Sequence, residues 1–146
     1  KFRWLGTSRY TIMSVVEVLR FKKRQATLIL DQKKIIDDFT FIMVCNTIHT
    51  GKGMKIAPNA KIDDGLMDVI AVKGNVSRLK LLQTLPKIFT GTHIYDPDVH
   101  SYQVKDFSLI PANNEGLNID GELLGSTPIQ ATVIKHALKI FCSNIS

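Results

Sequence analysis

Strand-like runs crowd the last third of the chain with almost no helix between them, and this crowding limits the fold more than any other feature. Residues 99–110, 117–119, 129–133 and 137–142 are rich in apolar and β-branched side chains, and Gly121, Gly125 and Pro128 mark tight turns among them. The pattern begins earlier. Residues 25–31 read as a strand, Gln32-Lys33-Lys34 as a turn and residues 39–47 as a nearly continuous apolar strand, so an antiparallel pair is expected. Residues 66–73 add another strand, and 54–57 a short extended piece.

Helical periodicity occurs only twice. Ile12, Val15, Val16 and Leu19 recur at spacings of three and four, so a helix runs from a Thr7 or Ser8 cap to about residue 21, closed by Arg20 and Lys22-Lys23-Arg24. Ser77 caps a second helix with Leu79, Leu82, Leu85, Ile88 and Phe89 on one side and Gly91 as its stop. Pro86 removes a backbone donor, so it should kink or end that helix. Two helices cannot alternate with this many strands, which argues against α/β. The expected fold is mainly β: an antiparallel β-sandwich or barrel-like sheet pair decorated by two helices.

Composition narrows the class further. A chain of 146 residues fits one domain, and 45% hydrophobic with 22% charged residues suits an ordinary globular core. Nineteen Lys and Arg against 13 Asp and Glu give +6, which favours anionic partners such as phosphates or a membrane surface. No aromatic and basic strip of the kind that stacks on RNA is present, so nucleic acid is not an expected partner. Cys45 and Cys142 lie far apart in apolar runs without CxxC spacing, which predicts free thiols in a reducing compartment. No signal peptide is visible and no apolar run approaches the ~20 residues of a membrane span. The chain opens at Lys1 rather than methionine, and a piece of a longer protein is therefore expected.

Three places carry residues suited to chemistry. In the first, Asn46-Thr47-Ile48-His49-Thr50-Gly51-Lys52-Gly53-Met54, two glycines after a strand let backbone approach a ligand closely, although on the residues alone a plain glycine turn is the favoured reading. It is neither a P-loop nor GxGxxG. In the second, Lys61-Ile62-Asp63-Asp64-Gly65-Leu66-Met67-Asp68, three carboxylates surround a turn, the oxygen-rich setting that Mg²⁺ or Ca²⁺ prefers, and also an ordinary Asp-Gly turn before a strand. In the third, Asn118-Ile119-Asp120-Gly121-Glu122, two carboxylates flank a glycine at a strand end. Such a pair can hold Mg²⁺ or take a proton from a hydroxyl in phosphoryl transfer, or simply close a hairpin.

Taken in this order over a β-rich frame, the three places resemble one family. Thr50-Gly51-Lys52-Gly53-Met54-Lys55-Ile56-Ala57-Pro58-Asn59-Ala60-Lys61-Ile62-Asp63-Asp64-Gly65-Leu66-Met67-Asp68-Val69 is similar to a stretch of the diacylglycerol kinase and sphingosine kinase type of lipid kinase. Asn118-Ile119-Asp120-Gly121-Glu122 resembles the Asp-Gly-Glu signature near the C-terminus of those enzymes, and Trp4-Leu5-Gly6 with Arg9-Tyr10 the helix that opens their second domain. The resemblance implies that residues 1–146 form the C-terminal lipid-binding β-sandwich domain of a two-domain kinase. The N-terminal nucleotide-binding domain, with its Gly-Gly-Asp-Gly-Thr loop, is absent from this chain.

The implied activity is ATP-dependent transfer of the γ-phosphate to the hydroxyl of a diacylglycerol or sphingoid base, with this piece inactive alone. Glu122 is then the general base, and Asp120 sits beside it near the phosphates and Mg²⁺. Asp64, with the backbone carbonyls of Lys61 and Leu66, holds a Mg²⁺ of structural role. ATP is a co-substrate bound mainly by the missing domain, with Gly51 and Gly53 as candidate cofactor-binding positions. The run His49-Thr50-Gly51-Lys52-Gly53 departs from the plainer glycine-rich version of the family. The implied setting is cytoplasmic and peripheral to an anionic membrane. A non-catalytic lipid-binding module of the same fold is the alternative, and Asp120-Gly121-Glu122 separates the two, since a pure binding module has no use for it.

Overall fold

The computed structural model describes residues 22–51 and 53–139. The first expected helix and the Trp4-Leu5-Gly6 motif lie outside these residues, as do Lys52 and Cys142. Eight strands, one α-helix and a short 3-10 turn follow in order: β1 Arg24–Leu30, β2 Lys33–Cys45, β3 Met67–Lys73, α1 Arg78–Thr90, the 3-10 turn Thr92–Tyr95, β4 Val99–Val104, β5 Asp106–Pro111, β6 Gly116–Ile119, β7 Glu122–Ser126 and β8 Ile129–Thr132. Six strands form one antiparallel sheet in the order β4-β3-β2-β1-β5-β8, while β6 and β7 pair only with each other. The mainly β expectation is met.

The sheet turns a corner along β2. Its first half, Lys33 to Phe39, pairs with β1, and its second half, Phe39 to Cys45, with β3, so the two partners share only Phe39. Between Phe39 and Phe41 the register shifts by one residue. The intervening Thr40 donates its hydroxyl to the Lys73 carbonyl at 2.9 Å. Strands that pass from one sheet half to another through such an irregularity make the corners of orthogonal sandwiches. The inner faces of both halves then meet in a core of Ala26, Leu28, Leu30, Phe39, Met67, Val69, Ala71, Val104 and Phe107.

The expected single strand over 99–110 is two. The chain breaks at Lys105 because Asp31, in the turn between β1 and β2 with φ of 53°, accepts the amides of both Lys105 and Asp106 through Oδ1 at 2.9 Å. Residues 122–126, taken as turn in the sequence, form β7 even though Gly125 there has φ of 74°. The expected strand over 137–142 is irregular with a bend at Leu138 as far as residue 139, and its remainder lies outside the described residues.

The helix α1 is capped as expected. Ser77 Oγ accepts the Lys80 amide at 3.2 Å, and Gly91 closes the other end at φ of 80°. Pro86 neither ends nor interrupts it; the helix runs on to Thr90. Losing one backbone bond is offset by anchorage on both sides, since Ile88 packs on the second core of Ile56, Ile70 and Val99 while its carbonyl accepts the Lys55 amide at 2.9 Å. The expected apolar stripe is only half used: Leu79 and Phe89 are exposed. Lys80 bridges to Asp96 and Asp98 at 3.1 and 2.8 Å, and the buried His93 donates through Nε2 to the Ile56 carbonyl at 2.9 Å, which ties the helix region to the sheet.

Two predictions follow from this frame. A Cβ at Gly74 would stand 2.6 Å from Asp38 Cβ and 2.9 Å from its backbone, so Gly74→Ala should cost about 1–3 kcal/mol in urea unfolding by overpacking the corner. Wild-type stability in that variant would show that the β2–β3 corner can shift freely. Burial holds His93 below the usual imidazole range against its bond to Ile56. Its contribution is therefore complete above the unfolded value of about 6.5 and is lost as pH falls through the lower folded value, and His93→Gln should flatten that acid-side slope.

Candidate functional site

The hairpin of β6 and β7 carries the first pair of carboxylates. Asp120 and Gly121 form its two-residue turn with φ of 52° and 95°, the paired positive values that a type I′ connection demands and that Asp-Gly supplies. Asn118 accepts the Gly121 amide through Oδ1 at 3.0 Å and stiffens the tip. Ile119 and Glu122 are direct cross-strand partners, so their side chains share one face of the hairpin. Asp120 and Glu122 are both exposed.

Beneath this hairpin lies a cleft of about 820 Å³. Ala26, Phe39, Phe107 and Leu109 line it from the sheet, and Leu117 and Ile119 from the hairpin. Asp120 belongs to the same lining, so the cleft reaches the hairpin tip. A mostly apolar cavity within the ~300–1,000 Å³ usual for ligand sites, reaching Asp120 at one end, suits a molecule with an apolar body and a polar head. Glu115 at the hairpin root pairs with Arg24 at the start of β1, and both also border the cleft.

The loop between β2 and β3 holds the other expected residues. Asp64 Oδ1 accepts the Leu66 amide at 2.8 Å, an Asx turn that shapes the approach to β3. Gly65 has φ of 80°, and a Cβ there would meet the Lys135 side chain at 3.0 Å. The most unusual group is Asp68, which the sequence places among the three carboxylates of this turn without giving it a role. Asp68 is 1% exposed, takes one bond of 3.3 Å from Gln103 Nε2, and its Oδ2 finds no partner among the described residues. Burial raises its pKa, the Gln103 bond works against that, and the charge of Asp64 adds to it. Its signal in the sequence was weak, because alternation in a strand buried on both faces hides a charged residue. Beside it, burial and then the Asp68 charge push the Cys45 thiol up to about 11, so it is protonated and unreactive.

Among the described residues no three His, Cys, Asp or Glu side chains come together as a metal cage. The fit to Mg²⁺ is nevertheless reasonable: this ion takes one or two carboxylates and keeps much of its water, and an unpartnered carboxylate oxygen on Asp68 close to Asp64 offers that kind of donor set. Gly51 and Gly53, at φ of 54° and 82°, make a tight turn closed by the Thr50 amide on the Met54 carbonyl at 2.9 Å. That backbone geometry accounts for both glycines. No hydrogen bond or ion pair among the described residues links the hairpin carboxylates to the Asp64 loop.

Residues 1–142 match the family described as the YegS C-terminal NAD kinase beta sandwich-like domain. A diacylglycerol kinase of Mycobacterium tuberculosis is 31% identical over 144 residues, which cover 96% of this chain and 45% of that protein. Human sphingosine kinase 2 is also 31% identical, over 97 residues covering 64% of this chain and 15% of that protein. A crystal structure of a diacylglycerol kinase from Bacillus anthracis superposes with a TM-score of 0.71 at 21% identity, over 90% of this chain and 44% of that one. The chain thus spans less than half the length of these relatives.

Addition of Mg²⁺ should raise the melting temperature of the wild type, and Asp64→Asn and Asp68→Asn should each diminish that rise. Thermal unfolding in Mg²⁺ and in chelator measures it directly. An equal rise in all three proteins would remove this loop as the ion's site.

Proposed function

Because the chain belongs to the YegS-type lipid kinase family, as a C-terminal domain of it, we propose that it receives a lipid alcohol and brings the hydroxyl to Glu122 for phosphorylation by ATP. The observation that carries this reading is that an apolar cleft of about 820 Å³ reaches Asp120 and Ile119, and Glu122 is the direct cross-strand partner of Ile119 at the same hairpin tip. In that arrangement the acyl chain lies against Ala26, Phe39, Phe107 and Leu109, and the head group reaches the hairpin tip. The Glu122 carboxylate takes the hydroxyl proton as the oxygen attacks the γ-phosphorus; the new O–P bond forms while the bond to the ADP oxygen breaks. Asp120 turns toward the phosphates and their metal ion.

Phosphoryl transfer depends on positioning and charge neutralisation more than on covalent help from the protein, so a domain that mainly orients one hydroxyl is chemically adequate. Mg²⁺ would neutralise charge on the phosphates, and a second ion would be held by Asp64 and Asp68 with the carbonyls of Lys61 and Leu66, stiffening the entry to β3. ATP is contributed by a nucleotide-binding domain outside this chain, with Gly51 and Gly53 as backbone contacts at most. The equal identity to a diacylglycerol kinase and to a sphingosine kinase leaves both lipid alcohols as substrates of this class. No described helix is long and apolar enough to cross a membrane. The lipid is delivered by contact with an anionic membrane surface, a reading that the charge of +6 supports through salt-dependent attraction.

Transfer of labelled γ-phosphate from ATP to a panel of diacylglycerols and sphingoid bases by the intact protein tests the reading. Glu122→Gln should lower kcat by about 10²–10⁴, the usual worth of a general base, with the fold retained. Lipid binding without any transfer in the wild type would replace the kinase reading with a lipid-binding module.

A further inference from the structure

The β6–β7 hairpin is attached to the rest of the molecule in an unusual way. It forms its own two-stranded sheet, apart from the six-stranded one, and every residue of β7 is exposed. Its two legs leave β5 and enter β8, which are themselves paired, so the hairpin is an outgrowth from the end of that pair. What fixes its angle to the sheet is concentrated at the root. The Thr127 amide donates to the Glu115 carbonyl at 2.9 Å, and the Glu115 amide donates to Thr127 Oγ1 at 2.9 Å. Thr127 is 5% exposed, so this reciprocal pair is shielded from water. The Glu115 carboxylate pairs with the Arg24 guanidinium, which projects from the first residue of β1. One leg is also pinned to β1 by the Ala112 amide on the Gln25 carbonyl at 3.0 Å.

We propose that Arg24, Glu115 and Thr127 form a clasp that sets the position of the Asp120-Gly121-Glu122 tip over the cleft. They act as positioning residues for phosphoryl transfer, and the proposal rests on the reading of Glu122 given above. The lever is long. Five residues separate root from tip, about 17 Å in extended chain, so a hinge movement of about 10° displaces the tip by about 3 Å. A displacement of about 1 Å can already cost about 10² in rate when a reacting group must be held in line. The ion pair itself is half exposed on both sides and adds little to stability, so selection for fold strength does not explain its placement. Thr127 does more than satisfy its own backbone, because its hydroxyl occupies the amide that would otherwise be free where the hairpin leaves the sheet.

The test uses the intact protein with Glu115→Gln, Thr127→Val and the exchanged pair Arg24→Glu with Glu115→Arg, alongside Glu122→Gln. Expected is a fall in kcat of at least about tenfold in Glu115→Gln and Thr127→Val, with KM for ATP unchanged and, for Glu115→Gln, a melting temperature within about 3 °C of wild type. The exchanged pair should recover part of the loss. Hydrogen exchange at the Glu115 and Thr127 amides, read without any substrate, should quicken in the two single variants and return toward wild type in the exchanged pair. Wild-type kcat in Glu115→Gln overturns the proposal whatever exchange does, and unchanged exchange in both single variants overturns it whatever the rates do. If Glu122→Gln retains full transfer, or the wild type phosphorylates no lipid, the functional reading fails instead, while the exchange data still report whether the clasp holds the hairpin.

Discussion

One residue, Lys105, joins a strand at the edge of the sheet to the strand fifth in order, and the rest of the architecture follows from that short link. In a flat sheet β4 and β5 would stand four strand spacings apart, about 19 Å. A trans peptide on either side of Lys105 spans at most about 7.6 Å between neighbours. The sheet must therefore fold back on itself. It does so along β2, whose two halves serve different partners, and the inner faces close over Leu28 and Val69, both at 0% exposure. Asp31 holds the link by accepting two consecutive amides there, so the junction that creates the fold is also one of its best-bonded points.

This corner positions the cleft. Phe39, the residue shared by the two halves of β2, and Phe107, two residues past the Lys105 link, are both part of the core and part of the cleft lining. The apolar cleft thus opens directly onto the interior. The hairpin then adds polar chemistry at one end without entering the core. Separation of this kind lets the tip carry carboxylates that would be costly among Phe39 and Phe107.

Much of this was legible in the sequence, and the gaps have physical reasons. Apolar runs bounded by Gly, Pro and polar turns located β1, β3 and β8 to within a few residues, and the Ser77 and Gly91 caps located α1. β2 begins at Lys33 rather than Phe39, because Lys33 to Asp38 pair with β1 although they are polar, and the turn is only Asp31 and Gln32. The break at Lys105 was not legible, because the residue that causes it, Asp31, lies 74 positions away. β7 was hidden by Gly125, whose positive φ is accommodated in a strand with a free edge. Pro86 does not end α1, because the tertiary anchorage at Ile88 outweighs local propensity. At the candidate site, turn geometry alone accounts for Asp120, Gly121 and Asp64. Glu122 and Asp68 are different: no backbone requirement calls for either, and burying Asp68 with an unpartnered oxygen works against stability. Residues that local structure does not need point most directly to function.

The same Lys105 link has a consequence for how the chain is made. Leu30 pairs with Phe107, a partner that lies almost 80 residues later. During synthesis at about 5–20 residues per second, β1 therefore waits about 4–15 s with one edge open before β5 emerges. Pairing with β2 is available at once, through the two-residue turn at Asp31 and Gln32, and covers the other edge. The exposed edge bears Thr27 and Ile29 between buried Ala26, Leu28 and Leu30, an uncharged run whose nearest charge within β1 is Arg24 at its start. Kinetic vulnerability in this protein is thus set by chain order, and it falls on β1 rather than on the strands that end as sheet edges.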